Sequence, residues 1–125
     1  MIIYYERRKL DLITLYTDSC GKSPIEDFLV TLFKLDKKLF SLVSSKLDLL
    51  DLSGTRAGNL SFSYLRSGIW EVKVKNIRIL FYKIDNGFLL LHAFYKKTKK
   101  TPERELHRAL KEVSDWTLRN SHQED

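Results

Sequence analysis

The stretch that decides the fold is Ile69-Trp70-Glu71-Val72-Lys73-Val74-Lys75-Asn76-Ile77-Arg78-Ile79-Leu80-Phe81-Tyr82-Lys83-Ile84. Apolar and charged residues alternate through its first half with a period of two, which is typical of a β-strand with one covered face. Its second half is apolar on both faces except at Arg78 and Lys83. We therefore predict two strands that meet at a tight turn or bulge at Asn76.

Downstream of this stretch, the residues predict a third strand and then a helix. Asp85-Asn86-Gly87 is a hairpin signal that leads into an apolar run over residues 88–95. Thr101 as N-cap, Pro102 at the first helical position and Glu103 in the first turn predict the start of the final helix. The inward-facing residues of that helix are expected to be Leu106, Leu110, Val113 and Trp116.

Upstream, two helices are expected. Ser23-Pro24-Ile25-Glu26 is a capping box, and a second helix is predicted from about Asp36 to Gly54. The predicted inner residues are Ile25, Phe28, Leu29 and Leu32 in the first helix and Leu39, Leu42, Val43, Leu47 and Leu50 in the second. Residues 2–6 and 12–16 fit short strands or a hairpin, and residues 55–63 lack periodicity and fit a loop.

These elements predict an α+β fold, with two N-terminal helices, a C-terminal helix and a small antiparallel sheet of about three to five strands. Mixed strand pairing is left open only for the N-terminal strand. At 125 residues and 43% hydrophobic content, the chain is expected to form a single domain over residues 1–125.

Composition also narrows the function classes. No apolar run approaches the roughly 20 residues that span a bilayer, and in residues 1–8 the basic residues follow the apolar ones, the reverse of a signal peptide. We expect a cytoplasmic protein without a membrane partner. One cysteine excludes an intrachain disulfide, and three scattered histidines do not form a zinc motif. No metal site and no cofactor are predicted.

The positive charge is concentrated in one part of the chain. Residues 64–111 contain twelve Lys and Arg against four Asp and Glu, a net charge of +8, so the remainder of this +6 chain carries −2. Four of the lysines fall within residues 96–100, between a predicted strand and a predicted helix. A cationic loop held at both ends favours a polyanion such as RNA or DNA. A solvated basic surface without a ligand is the alternative.

If the two strands of the opening stretch pair, Glu71, Lys73 and Arg78 share the sheet face that the helices leave uncovered. The lysines of residues 96–100 follow the third strand at the same sheet. An acid, a guanidinium and several ammonium groups suffice to cleave RNA without a metal. A base takes the 2′-hydroxyl proton, the oxygen attacks the adjacent phosphate, cations stabilise the charge, and an acid protonates the leaving oxygen.

Four stretches in this order resemble the HigB-like branch of the RelE toxin superfamily: residues 65–74 (LRSGIWEVKV), 77–82 (IRILFY), 92–98 (HAFYKKT) and 101–106 (TPEREL). The resemblance spans about residues 64–116. It implies a bacterial or phage-encoded toxin of a type II toxin–antitoxin pair, an endoribonuclease that cleaves mRNA on the translating ribosome. A HigA-like helix-turn-helix antitoxin is the implied partner, and DNA is contacted only through that complex.

The resemblance also implies site residues. Arg78 falls where the superfamily places an arginine on the scissile phosphate, although pairing with Glu71 is the alternative. Glu71 stands where some members have lysine, so it is expected either as general base or as a salt-bridged organiser of the cations. Lys96 and Lys97 match paired lysines, expected to bind substrate or stabilise the transition state. His107 is a candidate general acid or a surface histidine.

The expected RNA contacts are Arg66, Lys73, Lys75, Tyr95, Lys99 and Lys100. Tyr95 and Trp70 are both candidates to stack a base. Trp70 shares its strand face with Val72 and Val74, and His92 alternates with apolar neighbours, so these two are expected in the core. Two other functions remain open for the same fold, inhibition of DNA gyrase by binding alone and a non-toxic, phage-derived binding protein.

Overall fold

The computed structural model describes residues 12–55 and 60–121, together with the backbone of residues 4–5 and 8–9. Its helices are α1 (Pro24–Leu35), α2 (Lys37–Ser53) and α3 (Glu103–Ser121). Its strands are β1 (Tyr4–Tyr5), β2 (Arg8–Lys9), β3 (Ile13–Leu15), β4 (Phe62–Arg66), β5 (Ile69–Val74), β6 (Ile77–Ile84) and β7 (Gly87–Tyr95). The predicted α+β class with two N-terminal helices and a C-terminal helix is confirmed.

Five strands form one mixed sheet in the order β3-β7-β6-β5-β4. Strands β4 to β7 are antiparallel neighbours, and β3 pairs with β7 in parallel. The predicted antiparallel hairpins and the mixed pairing at the N-terminal side are therefore both present. Strands β1 and β2 form a separate two-stranded antiparallel pair.

The helices cover both faces of the sheet. On one face α1 and α2 bury an apolar cluster that includes Leu29, Leu47, Ile79 and Phe81. On the other face α3 packs Leu106 and Ala109 against Ile69, Leu80 and Leu91. The expectation that the face of Glu71 is uncovered is therefore wrong, because α3 covers part of it, and Glu71 is only 5% exposed.

The predicted caps of α1 and α2 are present in the structure. The Ser23 side chain accepts a hydrogen bond from the Glu26 backbone N–H at 3.2 Å, and Asp36 caps α2 by accepting from the Leu39 N–H at 3.0 Å. Gly54 forms the C-cap of α2.

One tight turn and one close backbone approach shape the sheet. Ser67 and Gly68, between β4 and β5, both have positive φ, which is the geometry of a type I′ hairpin turn. Near the opposite edge of the sheet, Phe88 N–H donates to the Leu12 carbonyl at 2.7 Å. A Cβ on Gly87 would lie 1.9 Å from that same oxygen, so only glycine lets the backbone before β3 approach β7 this closely.

A β-bulge in β7 sets the direction of His92. Leu80 pairs with His92 and Phe81 pairs with Leu90, so Leu91 is the extra residue. Leu91 and His92 both face α3 as a result, although strict alternation would place them on opposite faces.

Two element boundaries and one core residue differ from the predictions. Residues 62–63 belong to β4 rather than to a loop, and Phe62 is buried against the α1 and α2 cluster while Tyr64 and Arg66 are exposed. Leu42 is 42% exposed and lies outside the core. The final helix begins at Glu103, and Pro102 provides the first accepting carbonyl. The part of the predicted loop at residues 56–59 and most of the predicted strand at residues 2–6 lie outside the described residues.

Candidate functional site

A row of three side chains crosses the sheet on the side that α3 partly covers. Lys73 of β5 lies directly opposite Arg78 of β6, and Arg78 lies directly opposite Phe94 of β7. Directly opposed residues share a face, and all three side chains are partly exposed. The predicted pairing of β5 with β6 therefore places Lys73 and Arg78 side by side. Phe94 joins them, although its apolar strand gives no signal in the sequence that would single it out.

Glu71 lies in the same face, one step nearer to α3. Its Oε1 atom accepts a hydrogen bond from the Thr101 hydroxyl at 2.9 Å and is 3.8 Å from Arg78 Nε. Thr101 is 8% exposed and Glu71 5%. A buried carboxylate is tolerated where it is hydrogen-bonded and faces a cation. Thr101, the predicted N-cap of the final helix, therefore donates its hydroxyl hydrogen bond to Glu71 of the sheet.

The Arg78 guanidinium is folded back onto the turn between β5 and β6. Its Nη1 donates to the Lys75 carbonyl at 2.8 Å and to the Ile77 carbonyl at 2.9 Å. Its Nε is buried and has no hydrogen-bond partner among the described residues. The side chain is thus held in one place by backbone acceptors, and it still carries unused donor capacity.

The four lysines lie in what we call the lysine loop, residues 96–100. Its first residue is attached to the β5–β6 turn, because Lys96 N–H donates to the Asn76 carbonyl at 2.6 Å. Lys97, Lys99 and Lys100 are exposed, and Lys96 is partly exposed. In the described part of the chain, none of these lysines, nor Lys73 or Lys75, forms an ion pair. Their charge is available to a ligand.

Two other predicted site residues lie in or beside the first turns of α3. Arg66, the last residue of β4, makes two hydrogen bonds to the Glu103 carboxylate, one of them at 2.8 Å from Nη1. This hydrogen bond holds the pKa of Glu103 below its usual range and raises the pKa of Arg66. His107 is exposed, one turn further along α3, and has no hydrogen bond to Glu71 or Arg78. Arg66 is thus already paired with Glu103, and His107 has no hydrogen bond that links it to Glu71 or Arg78.

Tyr95 lies on the opposite side of the sheet from Arg78. It pairs with Ile77 of the α1 and α2 cluster, and its ring is 5.4 Å from that of Phe28 in α1. Tyr95 is 47% exposed, so its ring is accessible, but from the helix side. Trp70 packs against the same cluster, as predicted for a core residue.

His92 is buried, as predicted, but it lies in a polar cluster with two carboxylates of α3. Its Nδ1 is 2.6 Å from Glu112 Oε1 and its Nε2 is 3.0 Å from Glu105 Oε1. Arg108 Nε lies 3.4 Å from the other oxygen of Glu112. Because His92 is only 1% exposed, its role is to fasten α3 to β7 rather than to reach a ligand.

Within residues 12–55 and 60–121, no cluster of three or more His, Cys, Asp or Glu side chains is arranged to hold a metal ion. A cleft of about 530 Å³ lies between the end of α2 and the β6–β7 turn, and none of the predicted site residues lines it. No helix in the described part of the chain is long and apolar enough to cross a membrane.

Comparisons with known proteins agree with this fold. The family model described as phage-derived protein Gp49-like (DUF891) matches residues 31–114. The structure of a YoeB dimer from Staphylococcus aureus is similar with a TM-score of 0.52 and 18% identity, covering 61% of this chain and 92% of that one. A YoeB–YefM complex from Staphylococcus aureus gives a TM-score of 0.50 and 17% identity, covering 58% and 87%. No curated protein matches the sequence significantly.

Proposed function

Because the chain belongs to the phage-derived Gp49-like family, we propose that it is the toxin of a type II toxin–antitoxin pair and that it cleaves mRNA. The YoeB-like fold and the family match support the RelE superfamily. The HigB-like branch remains a prediction from the four sequence stretches.

The observation that carries this proposal is the arrangement around Arg78. A guanidinium held by backbone carbonyls lies beside Lys73, within 3.8 Å of the buried Glu71, and next to a lysine loop attached to the same turn. Pre-positioned cations of this kind stabilise the charge that develops on a phosphate in the transition state.

The proposed reaction is a transfer within the RNA strand. The 2′-oxygen forms a bond to the adjacent phosphorus while the bond from phosphorus to the 5′-oxygen breaks. The proton of the 2′-hydroxyl leaves to a base, and the 5′-oxygen gains a proton. The products are a 2′,3′-cyclic phosphate and a 5′-hydroxyl. In this scheme Arg78, Lys96 and Lys97 stabilise the phosphate.

We assign Glu71 the role of organiser of the cations rather than that of general base. Its Oε1 is already bound by Thr101 and faces Arg78, and burial at 5% exposure limits its reach to a 2′-hydroxyl. A general base must come within hydrogen-bond distance of the proton that it removes.

The proposed partners are the ribosome and an antitoxin. The exposed Lys99 and Lys100 fit contacts to ribosomal RNA, which would present the mRNA. YoeB occurs with YefM in one of the similar structures, and we propose a helix-turn-helix antitoxin for this chain, with DNA bound only through that complex.

The test uses the purified protein with RNA, alone and in a translating extract. We expect cleavage fragments with a 5′-hydroxyl, which a polynucleotide kinase labels without prior phosphatase treatment. The matched control substrate carries one 2′-deoxynucleotide at the cleavage position, and cleavage there is expected to stop. Cleavage of the deoxy substrate, or fragments with a 5′-phosphate, would contradict the proposed chemistry.

Induction in bacteria distinguishes the remaining functions. We expect growth arrest with loss of mRNA. Growth arrest with DNA damage and intact mRNA would indicate a gyrase inhibitor of the same fold, and unaffected growth would indicate a non-toxic binding protein.

A further inference from the structure

The lysine loop is attached to the candidate site at both of its ends. At its start, Lys96 N–H donates to the Asn76 carbonyl at 2.6 Å. Just after its end, the Thr101 hydroxyl donates to Glu71 Oε1 at 2.9 Å. Both acceptors lie on the β5–β6 hairpin, which also carries Arg78. The position of the loop therefore depends on two hydrogen bonds to this hairpin.

The bond at Thr101 is the one that a single side chain can remove. It joins residues 30 positions apart in the sequence, and both partners are buried. A buried hydrogen bond is costly to leave unmade, because the acceptor loses water without gaining another donor. By contrast, the Thr98 hydroxyl donates to the Lys100 carbonyl inside the exposed loop.

The Glu71 oxygen that accepts from Thr101 is also the one that faces Arg78. Glu71 Oε1 is the acceptor for Thr101 and stops 3.8 Å from Arg78 Nε, beyond hydrogen-bond distance. Arg78 Nε is buried and has no hydrogen-bond partner in the described residues. Without the hydroxyl, Oε1 is no longer held on the Thr101 side, and the nearby unused donor of Arg78 is expected to draw the carboxylate closer.

We propose that Thr101 is a positioning residue whose hydroxyl ties the end of the lysine loop to Glu71 and keeps that carboxylate from closing onto Arg78. The lysines then stay ordered beside Arg78, and the guanidinium stays available to a phosphate. The effect on the loop stands on the geometry alone, whereas the effect on catalysis rests on the proposed RNA cleavage.

The loop is tested without RNA by limited trypsin digestion of the folded protein, since Lys96, Lys97, Lys99 and Lys100 are trypsin sites. We expect Thr101→Val to increase the rate of cleavage in the loop by about five-fold, the equivalent of one buried hydrogen bond. Thr101→Ser is expected to restore protection, because it keeps the hydroxyl. Thr98→Val is the matched control, with the same substitution in the same loop but no contact with Glu71.

Two results would overturn the inference. One is wild-type protection in Thr101→Val, and the other is equal loss of protection in Thr98→Val or Thr101→Ser. Should Thr101→Val fail to fold, Glu71→Gln and Glu71→Met replace it. The glutamine keeps an acceptor oxygen for Thr101 and is expected to protect the loop, whereas methionine is expected to expose it. Equal digestion of these two variants would also overturn the inference.

The catalytic consequence is measured on the same proteins. We expect Thr101→Val to lower kcat/KM for RNA by about ten-fold, mainly through a lower kcat, and Thr101→Ser to recover it, because the cations that Thr101 positions act on the phosphate in the transition state. If the wild-type protein does not cleave RNA, the proposed function fails while the digestion result still decides the role of Thr101. If Thr101→Val cleaves RNA at the wild-type rate with an exposed loop, the positioning role is wrong.

Discussion

Phe94 lies directly opposite Arg78 in the register of β6 and β7, so the aromatic residue that shares the sheet face of Arg78 is Phe94 and not its neighbour Tyr95. Strand alternation turns Tyr95 to the other side of the sheet, where its ring is 5.4 Å from that of Phe28. Phe94 is the better candidate to stack a base of the RNA next to the phosphate on Arg78.

Substituting these two aromatic residues tests this assignment. We expect Phe94→Leu to weaken binding of a short single-stranded RNA by about ten-fold, since stacking on an aromatic ring contributes about 1–3 kcal/mol per base. Tyr95→Leu, the matched control on the other side, is expected to change binding less than about two-fold. A larger loss in Tyr95→Leu than in Phe94→Leu would return the stacking role to Tyr95.

Arg78 is expected to be the residue whose loss reduces cleavage most. Arg78→Ala should lower kcat by about 10²–10³-fold, because it removes a fixed cation at the phosphate. Urea unfolding of the same variant checks the fold, since Arg78 also binds the Lys75 and Ile77 carbonyls. Lys38→Ala, a change at an exposed lysine on α2, controls for the lost charge. Full activity in a folded Arg78→Ala protein would show that the site is elsewhere.

The exposed lysines of the loop predict a strong dependence of RNA binding on salt. Each phosphate contact contributes about 0.7 to the slope of log affinity against log salt for a single strand. The double substitution Lys97→Ala and Lys99→Ala is therefore expected to reduce the slope by about 1.4. An unchanged slope, measured by fluorescence anisotropy between low and physiological salt, would mean that these lysines do not contact RNA.

Replacing the buried His92 is expected to lower the stability of the fold strongly. His92→Leu removes the group that binds both Glu105 and Glu112, and two largely buried carboxylates lose a partner. We expect a loss of about 3 kcal/mol in the free energy of unfolding, measured by urea titration. His107→Leu changes an exposed histidine on the same helix and should alter stability by less than about 0.5 kcal/mol. Equal losses would contradict the structural role of His92.

Ionisation of Tyr16 is expected to lower the stability of the fold at alkaline pH. Burial, together with the hydrogen bond to Asp115 and the charge of Asp115, raises the pKa of Tyr16 to about 12 from an ordinary value of 10.0. The folded state keeps this proton when the unfolded state has lost it. The contribution of Tyr16 to stability is therefore complete below pH 10 and falls between pH 10 and about 12.

The corresponding variant is Tyr16→Phe, which lacks the titrating hydroxyl. We expect its stability to fall less steeply than that of the wild-type protein over this pH range, in urea titrations at several alkaline pH values. Parallel curves for the two proteins would show that Tyr16 does not cause the dependence.

Most of the fold follows from local patterns. The Ser23 capping box and the period-two alternation of residues 69–75 are short-range signals, and each fixes an element without reference to the remainder of the chain. Strand β4 is not predicted, because Phe62 is the one buried residue among its five. That α3 covers Glu71 is not predicted either. The face on which a helix docks depends on which side of the sheet the other helices leave free, and only the assembled fold determines that side.

The candidate site was predictable in its residue types and only partly in its geometry. The sequence by itself determined a basic, α+β domain in which Glu71, Lys73 and Arg78 share one sheet face beside four lysines, because alternation and hairpin signals act within a few residues. Only the tertiary structure decided that Phe94 and not Tyr95 shares the face of Arg78, that Glu103 pairs with Arg66, and that Thr101 binds Glu71. These contacts depend on strand register and on the docking of α3, which bring together residues far apart in the chain.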